Sequence, residues 1–428
     1  MNLIIDGNLY DVKSYLHIHP GGQLPILNLI DTDVSDAFDN FHPPYVRKHI
    51  LPKYRVAVVN TSTEATSILT DYRRLKRHLK SIGFFKSTRL FYLKQVVKLS
   101  LIFTLSITAT LLGNSVAMRC IGAALLGMFW QQLAFVGHDI GHNSVFNNRA
   151  RGLWWGILVG NSLGGISLGW WKHSHNVHHV VTNSIEKDPD IQHLPVFAVD
   201  EKLLHNYRSS FHRKHMRVNA LSRLLVSYQH ILFYPVMLVA RFNLYIQGVL
   251  HLINHTPKYK ALEIKCLLFF CTWNALLLTR IESSRERLLF LLISHAVTAI
   301  LHVQISISHF AEEIYHGVKY SGDWVGTQCN TTANVKCSPS MDWVHGGLQF
   351  QIEHHLFPRL PREHLRRASL LVKPFCHKHK LKYVELNFLN CNLRVLQKMK
   401  NTAYQARKLP NQNRGVLNSL LYSGMNLQ

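Results

Sequence analysis

Three short patterns gather histidines of this sequence into clusters suited to metal binding. They are HDIGH at 138–142, HNVHH at 175–179 and QIEHH at 351–355. Histidines three or four residues apart return to one face of a helix, so each pattern would present its imidazoles together. The candidate ligands are His138, His142, His175, His178, His179, His354 and His355. Imidazole suits iron and other transition metals, and these ligands exceed what one ion needs, which indicates a dinuclear centre.

The third pattern begins with Gln351, at the position where the second pattern has His175. An amide oxygen is a poor iron ligand and a good hydrogen-bond acceptor. We therefore assign Gln351 a catalytic role, in which it holds a metal-bound water or a neighbouring imidazole and leaves coordination space free.

A further ligand is expected outside the three patterns. His295, His302 and His309 recur every seven residues in an apolar run, which keeps them near one helix face. Histidines inside a membrane are costly unless they line a site or find partners. His309, at the end of the run, is therefore predicted as a metal ligand. We expect His302 to lie beside the ligands or to hydrogen-bond to a neighbouring helix, and His295 to be structural.

Four apolar runs without Asp, Glu, Lys or Arg predict membrane spans. They are Leu99 to Ala117, Cys120 to Gly137, Cys266 to Thr279 and Leu288 to Phe310. A span needs about 20 mostly apolar residues, so the third run would need its flanking cations to reach the headgroups. Buried helices of a soluble protein are the alternative, but the runs come as two close pairs. We therefore predict two membrane hairpins.

Two more uncharged stretches run from Leu153 to Trp171 and from Leu224 to Ala240. If the first crossed the bilayer, the histidine patterns before and after it would lie in opposite compartments and could not share a site. We interpret both stretches as interfacial or re-entrant, with the second interrupted by Pro235. All histidine patterns then lie on one side, which we expect to be the cytosol.

The charge and the cysteines exclude other classes of protein. The formal net charge of +24 could indicate nucleic-acid binding. The basic residues are, however, spread along the loops and the tail, which is better explained by cytosolic loops beside an anionic membrane leaflet. The seven cysteines form no CxxC pair, so neither a disulfide framework nor a zinc ribbon is predicted. The N-terminus shows no cleavable signal peptide, and we expect it to stay in the cytosol.

The first sixty residues predict a separate small unit. LIIDGNLYDV reads as two short strands around an Asp-Gly-Asn turn, and DTDVSDAFDNFH as a capped helix that ends at His42. A lone HPGG at 19–22 would usually be only a loop. Together, however, YDVKSYLHIHPGG and DAFDNFHP resemble the cytochrome b5 family. This resemblance implies a haem b with His19 and His42 as its axial ligands, suited to electron transfer.

The rest of the chain, to about Lys380, resembles the membrane desaturases with three histidine boxes that carry a fused cytochrome b5, the front-end group. The Gln-leading third box is typical of that group. Four segments look most like sphingolipid Delta-8 desaturases: WWKHSHNVHHVVTNSIEKDPDIQHLPVFAV, YPVMLVARFNLY, LHVQISISHF and GGLQFQIEHHLFPRLPR. Ser308 stands where the acyl-lipid Delta-5 and Delta-6 relatives usually have Asn.

The resemblance implies an α+β cytochrome b5-like domain at 1–60, a linker at 61–95 and an all-α polytopic membrane domain at 96–390. This domain would have four spans, interfacial helices and a cytosolic histidine-rich cap, followed by a basic tail at 391–428. The family resemblance also places the protein in the endoplasmic reticulum membrane.

The implied chemistry is a desaturation that uses O2. A di-iron centre, reduced through the fused haem, would abstract hydrogen from an unactivated methylene and then from its neighbour. A flavoprotein reductase would supply the electrons, and the substrate would be a sphingolipid or an acyl lipid. Three alternatives stay open: an acyl-lipid Delta-5 or Delta-6 desaturase, a di-iron hydroxylase, and a membrane haem protein with structural histidines.

Overall fold

The computed structural model describes residues 1–59, 66–146, 148–318 and 323–409. The start of the predicted linker and the end of the predicted tail therefore lie outside the described residues. Within the described part, a small α+β unit precedes a large, mainly helical domain.

The N-terminal unit contains a three-stranded antiparallel sheet. Its strands are β1 (Asn2–Ile5), β2 (Asn8–Asp11) and β3 (Arg55–Val58), paired in that order. Asp6 and Gly7 join the first two strands with φ angles of 49° and 69°, as a tight hairpin turn requires. Two helices follow β2: α1 (Leu24–Leu27) and α2 (Ser35–Phe41). The predicted hairpin and the helix ending at His42 are thus confirmed, whereas β3 was not predicted.

The larger domain consists mainly of helices, with two small strand pairs. The helices up to the second histidine pattern are α3 (Ser67–Ser81), α4 (Arg89–Leu111), α5 (Val116–Gly141), α6 (Arg149–Gly164) and α7 (Leu168–Val180). The next are α8 (Ala220–Ser227), α9 (Gln229–Asn254), α10 (Lys260–Thr279), α11 (Ser284–Val297) and α12 (Ala299–Ile307). The last are α13 (Trp324–Thr331), α14 (Asp342–His345), α15 (Gln351–Leu356), α16 (Leu365–Lys378) and α17 (Phe388–Lys408). Strands β4 (Tyr207–Arg208) and β5 (His215–Met216) pair antiparallel, and β6 (Asn334–Lys336) and β7 (Glu385–Asn387) pair parallel.

Five helical segments of the described chain are long and apolar enough to cross a membrane. They are α4, α5, α9, α10 and the continuous pair α11–α12. Helices α5 and α10 contain their predicted runs, α4 and α11–α12 overlap theirs but end before them, and α9 is the addition. The bounds differ from the prediction because helices begin before the charge-free runs do. For example, α4 begins at Arg89 and ends at Leu111, and Lys98 within it donates a 2.6 Å hydrogen bond to Gln132 of α5.

Short connections join the apolar helices of each predicted pair. Helices α4 and α5 are joined by residues 112–115, and α10 and α11 by residues 280–283. The hydroxyl of Ser115 accepts a 3.3 Å hydrogen bond from the backbone N–H of Met118, which caps α5 at this turn. Arg119 at the start of α5 forms an ion pair with Glu286 at the start of α11. Both turns therefore lie at the same end of the helical domain.

The two stretches predicted as interfacial have different structures. Helix α6 covers part of the first and has 16 residues, too short for an ordinary span. It stops at Gly165, whose φ of 70° is left-handed and whose missing side chain leaves room for the ring of Phe270. The predicted interruption of the second stretch at Pro235 is wrong. Helix α9 runs through Pro235, its seventh residue, where the proline removes one hydrogen bond of the helix. The break in this stretch lies instead at Tyr228, between α8 and α9.

The largest core cluster joins the segment after α7 to helices α9, α12 and α17. Ile191, Val199, Phe233 and Ile307 are buried there, together with residues of α17. The buried side chains of α17 include Val395, Met399, Ala403 and Ala406, spaced to form one helix face. The segment predicted as a basic tail from residue 391 therefore continues the folded domain to Lys408. Its apolar stripe was hidden among many charged residues.

Candidate metal centre

All eight histidines predicted as metal ligands meet in one cluster. The C-terminal end of α5 brings His138 and His142, and α7 brings His175, His178 and His179. Ser167 caps α7 by accepting the backbone N–H of Trp170 at 3.1 Å. The end of α12 brings His309, and α15 brings His354 and His355. The packing of these four helical segments against one another, and not any single pattern, assembles the site.

The ligand atoms fall into two groups that could each hold one metal ion. Within each group, one ligand nitrogen from every histidine lies within 4.8 Å of the others. Group I consists of His138, His142, His175 and His354. Group II consists of His178, His309 and His355. These donor sets of neutral nitrogen ligands fit transition metals such as iron.

His179 lies between the two groups. Its Nε2 atom is 3.0 Å from Nε2 of His175 and 3.1 Å from Nε2 of His354, and its ring stacks on that of His355 with centroids 4.2 Å apart. Imidazole nitrogens that face one another so closely are arranged like ligands around an ion. Its Nδ1 atom is buried and has no hydrogen-bond partner within the described part of the chain.

The group II histidines are held by hydrogen bonds at Nδ1. Nδ1 of His178 lies 2.9 Å from a carboxylate oxygen of Asp188. Nδ1 of His355 lies 2.9 Å from the amide oxygen of Gln328, and Nδ1 of His309 lies 3.2 Å from the backbone carbonyl of Thr331. Each acceptor fixes its ring and leaves Nε2 as the ligand atom.

Asp188, Gln328 and Thr331 were not predicted as site residues. Asp188 belongs to the DPD motif, ten residues after His178. An acidic residue that closely follows a histidine pattern is the sequence signal that could have identified it.

Burial and charge act differently on the ligand histidines. Burial, together with the neighbouring histidines, lowers the pKa of His309 and His355, so these rings are neutral and can donate a lone pair. Burial also opposes the charge on His178, but Asp188 and Asp190 outweigh it and raise its pKa to about 9. A metal ion at Nε2 would take the place of the second proton.

Gln351 begins α15 and is buried. Its amide oxygen has no hydrogen-bond partner among the residues that the structure describes, and neither has Nε2 of His302. Neither residue belongs to group I or group II.

His295 has a hydrogen-bond partner at each ring nitrogen. Its Nδ1 atom lies 2.8 Å from the carbonyl of Leu291, and its Nε2 atom lies 3.2 Å from the hydroxyl of Tyr245.

The two histidines predicted as haem ligands face each other in the N-terminal unit. Their ring centroids are 6.0 Å apart. Nδ1 of His19 lies 2.6 Å from the carbonyl of Gly22, and Nδ1 of His42 lies 2.9 Å from the carbonyl of Phe38, which leaves both Nε2 atoms as ligands. Burial lowers the pKa of His19 and lowers that of His42 to about 4, so both rings are neutral. These residues fit a haem held by two imidazoles.

The N-terminal unit is docked against the metal centre. Phe41, next to His42 in the chain, places its ring edge against His179 with centroids 6.2 Å apart, and against Trp324 of α13 at 5.8 Å. Leu24 of α1 packs against Val177 and Val181 at the end of α7. The aromatic contact therefore joins the two candidate cofactor sites directly.

Polar contacts hold this arrangement. Arg73 of α3 forms two hydrogen bonds with Asp36 of α2, at 2.8 and 2.9 Å. Lys187 donates to the carbonyl of Asn28 at 2.7 Å, and Arg149 donates to that of Pro20 at 3.0 Å. These contacts hold three separate segments of the N-terminal unit, which restricts its orientation.

A unit with two facing histidines that contacts a cluster of eight histidines, beside apolar helices, has the features of a membrane-associated metal oxidoreductase. The family models specify the class further. A model described as "Fatty acid desaturase" matches residues 114–387, and one described as "Cytochrome b5-like Heme/Steroid binding domain" matches residues 1–60. The chain therefore belongs to the fatty acid desaturase family and carries a fused cytochrome b5-like domain, as the sequence predicted.

Curated relatives cover nearly the whole chain. A "Delta(8)-fatty-acid desaturase 2" of Arabidopsis thaliana is 41% identical over 99% of this chain and 93% of its own length. A "Delta 8-(E)-sphingolipid desaturase" of Kluyveromyces lactis is 38% identical over 93% of this chain and 71% of its own length. An "Acyl-lipid (9-3)-desaturase" of Borago officinalis is 37% identical over 95% of this chain and 90% of its own length.

Proposed function

We propose that this protein is a sphingolipid Delta-8 desaturase, which introduces a double bond into the long-chain base of ceramides. The observation that carries the proposal is the docking of a bis-histidine module on an eight-histidine centre, in a chain similar to Delta-8 desaturases over nearly its full length. The acyl-lipid relative favours a second candidate, a desaturase of acyl lipids such as a Delta-5 or Delta-6 enzyme.

The two histidine groups would hold two iron ions. Group I and group II would each supply ligands to one ion, with His179 between them. When bound, iron supplies the activation of O2. This activation is needed because no acid or base of the protein is strong enough to abstract hydrogen from an unactivated methylene. The protein contributes the ligand geometry and the orientation of the lipid chain. Gln351 would hold a water or an imidazole at the centre through its unpaired amide oxygen.

The fused domain would bind haem b through His19 and His42 and pass electrons to the centre. Docking makes this transfer intramolecular, because the tether keeps the effective concentration of the carrier high. Its electrons would come from a flavoprotein reductase.

We also propose four membrane spans, with the haem domain and the histidine centre on the cytosolic side of the endoplasmic reticulum membrane. The contacts of His309 support an even number of crossings. Its ring lies 4.7 Å from that of His178, so the chain between residues 178 and 309 must return to the side on which it began. Helices α9, α10 and α11–α12 all lie in that interval, and three crossings would separate the two histidines.

Helix α9 is the one that stays at the surface in this proposal. At its start, Gln229 donates 2.9 Å hydrogen bonds to the carbonyls of Ala198 and Met399. Near its end, a side chain on Gly248 would meet Ser167, the cap of α7, at 3.2 Å. The first residue of α9 therefore contacts α17 and the loop after α7, and its last turns approach the start of α7.

Lipid analysis of a host expressing the protein tests the proposed substrate. We expect a new Delta-8 double bond in the long-chain bases of its sphingolipids. New polyunsaturated fatty acids with unchanged bases would favour the acyl-lipid alternative. A variant with His175→Ala is the control for the host's own enzymes.

The mass of the product separates desaturation from the related hydroxylation. A desaturase product is lighter by two hydrogens, whereas a hydroxylase product is heavier by one oxygen. If the purified protein held haem but no other iron, the third alternative, a membrane haem protein with structural histidines, would replace the enzyme.

A further inference from the structure

A third histidine cluster lies outside groups I and II. His173 of α7 meets His251, in the last turn of α9, and His255, the residue after that helix. One ligand nitrogen from each lies within 4.8 Å of the others. We propose that these three histidines form a separate binding site for a late first-row transition metal such as Zn²⁺.

The three rings converge on one point. The centroids of His173 and His251 are 5.1 Å apart, those of His173 and His255 are 4.8 Å apart, and those of His251 and His255 are 4.6 Å apart. His251 and His255 are four residues apart at the end of one helix, which brings both side chains to one face. A second helix supplies the third ring, so the convergence depends on the packing of α7 against α9.

The ring nitrogens of this cluster have no competing partners. Among the described residues, none of the six ring nitrogens forms a hydrogen bond, whereas the Nδ1 atoms of group II are each occupied. Each ring is therefore free to present either nitrogen to an ion. His251 is only 7% exposed and His255 is exposed, so one side of the cluster is open to solvent and allows entry of the metal.

The donor set selects the class of ion. Three imidazoles with a fourth position open to water are a common zinc-binding arrangement. Among the residues that the structure describes, the charged side chains that act on the cluster are Arg213 and Lys260, both positive, and no carboxylate is among them. Without a carboxylate, the site cannot suit Ca²⁺ or Mg²⁺, which need oxygen ligands. Because these positive charges repel a cation, binding requires strong coordination bonds, which imidazoles form with Zn²⁺ and Cu²⁺.

The position of the site suggests what the ion would do. His173 is two residues before His175 of group I, and its Nδ1 atom lies 3.9 Å from where a side chain on Gly22 would begin. The carbonyl of Gly22 accepts from the haem ligand His19. A bound ion would join α7 to the end of α9, directly beside the loop that seats the N-terminal domain, and would thereby stabilise the folded state.

Equilibrium dialysis of the purified full-length protein, loaded with haem and iron, tests the site. The protein is dialysed against buffered Zn²⁺, and bound zinc and iron are measured together by elemental mass spectrometry. We expect one zinc per chain with no loss of iron. In His255→Ala the zinc affinity should fall by more than about 100-fold, since loss of an outer hydrogen-bond partner alone costs 10–100-fold.

Two further variants make the result specific. His255→Cys keeps a zinc ligand and should bind zinc, whereas His205→Ala removes an exposed histidine elsewhere and should leave binding unchanged. Because His255 is exposed, its replacement should not disturb folding, and iron and haem contents check this. The proposal is overturned if His255→Ala binds zinc as tightly as the original protein, if no zinc binds, or if each zinc bound displaces an iron.

Discussion

The histidines proposed as metal ligands differ in which group binds the ring nitrogen that faces away from the proposed metal. Asp188 holds His178 and also accepts the backbone N–H groups of Asn183 at 2.6 Å and Asp190 at 2.9 Å. This one carboxylate thus orders both a ligand and the loop after α7. Its complete burial makes these interactions strong, because no water competes for them.

Replacing Asp188 by Asn should therefore weaken metal binding. The amide can still accept hydrogen bonds but removes the negative charge that favours a cation at His178. We expect the iron affinity of the centre to fall by about 10–100-fold, measured as iron retained against a chelator. Asp190→Asn is the matched control, since this carboxylate lies 3.7 Å from Nδ1 of His178 and is partly exposed. Equal losses in both variants would contradict the special role of Asp188.

Gln351 and His309 should behave differently when replaced. His309→Ala removes a group II ligand, so we expect iron to be lost. Gln351→Asn shortens an amide that belongs to neither ligand group, so iron should be retained while turnover falls. Iron content and product formation, measured on the same preparations, separate the two roles. If both variants lost the same amount of iron, Gln351 would have to be treated as a ligand.

At the scale of elements, the position of α9 decides the topology of the membrane domain. Its length and composition suit a span, whereas its contacts at both ends suit a helix lying along the surface. Hydropathy shows only that a helix is apolar enough to cross a membrane, not that it does so. The contacts of Gln229 and Gly248 describe where its two ends are, which is the information that a topology requires.

A glycosylation acceptor at the end of α9 allows this to be measured. Asn254, His255 and Thr256 form an N-x-T sequence, which is modified only on the lumenal side. If α9 stays at the cytosolic surface, Asn254 should remain unmodified and endoglycosidase treatment should not change the mobility of the protein. An acceptor sequence inserted at residues 280–283 is the positive control, since that turn is proposed to be lumenal. Glycosylation of Asn254 would show that α9 crosses.

At the scale of the whole molecule, the fused domain and the metal centre form one unit. Phe41 connects them, because its backbone adjoins His42 and its ring contacts His179 and Trp324. Electronic coupling falls more steeply across a gap than through atoms in contact. The docked arrangement therefore gives an electron a continuous path of atoms between the two sites.

Phe41→Ala should slow electron transfer without removing either cofactor. We expect reoxidation of the reduced haem under anaerobic conditions to be at least several times slower, followed by its absorbance, with haem and iron contents unchanged. Leu24→Ala is the matched control, because Leu24 packs in the same interface against Val177 and Val181 but not between the two sites. An equal effect of both substitutions would assign Phe41 only to docking. Phe41→Tyr should restore the rate.

The local features of this protein could be predicted from the sequence because they depend on neighbouring residues. The spacing within each histidine pattern places ligands on one helix face, the Asp6–Gly7 turn sets the first hairpin, and charge-free runs mark four apolar helices. His309 could also be singled out, since a histidine at the end of an apolar run needs a partner. These features determined the family and the candidate ligands.

Only the tertiary structure decided how the ligands are shared between two groups and what surrounds them. The partition of the histidines, the pairing of His178 with Asp188, and the contact of Phe41 with His179 join residues from helices distant in sequence. The same holds for His173, His251 and His255, which no single motif contains. Sequence spacing specifies which side chains share a helix face, whereas helix packing specifies which faces meet.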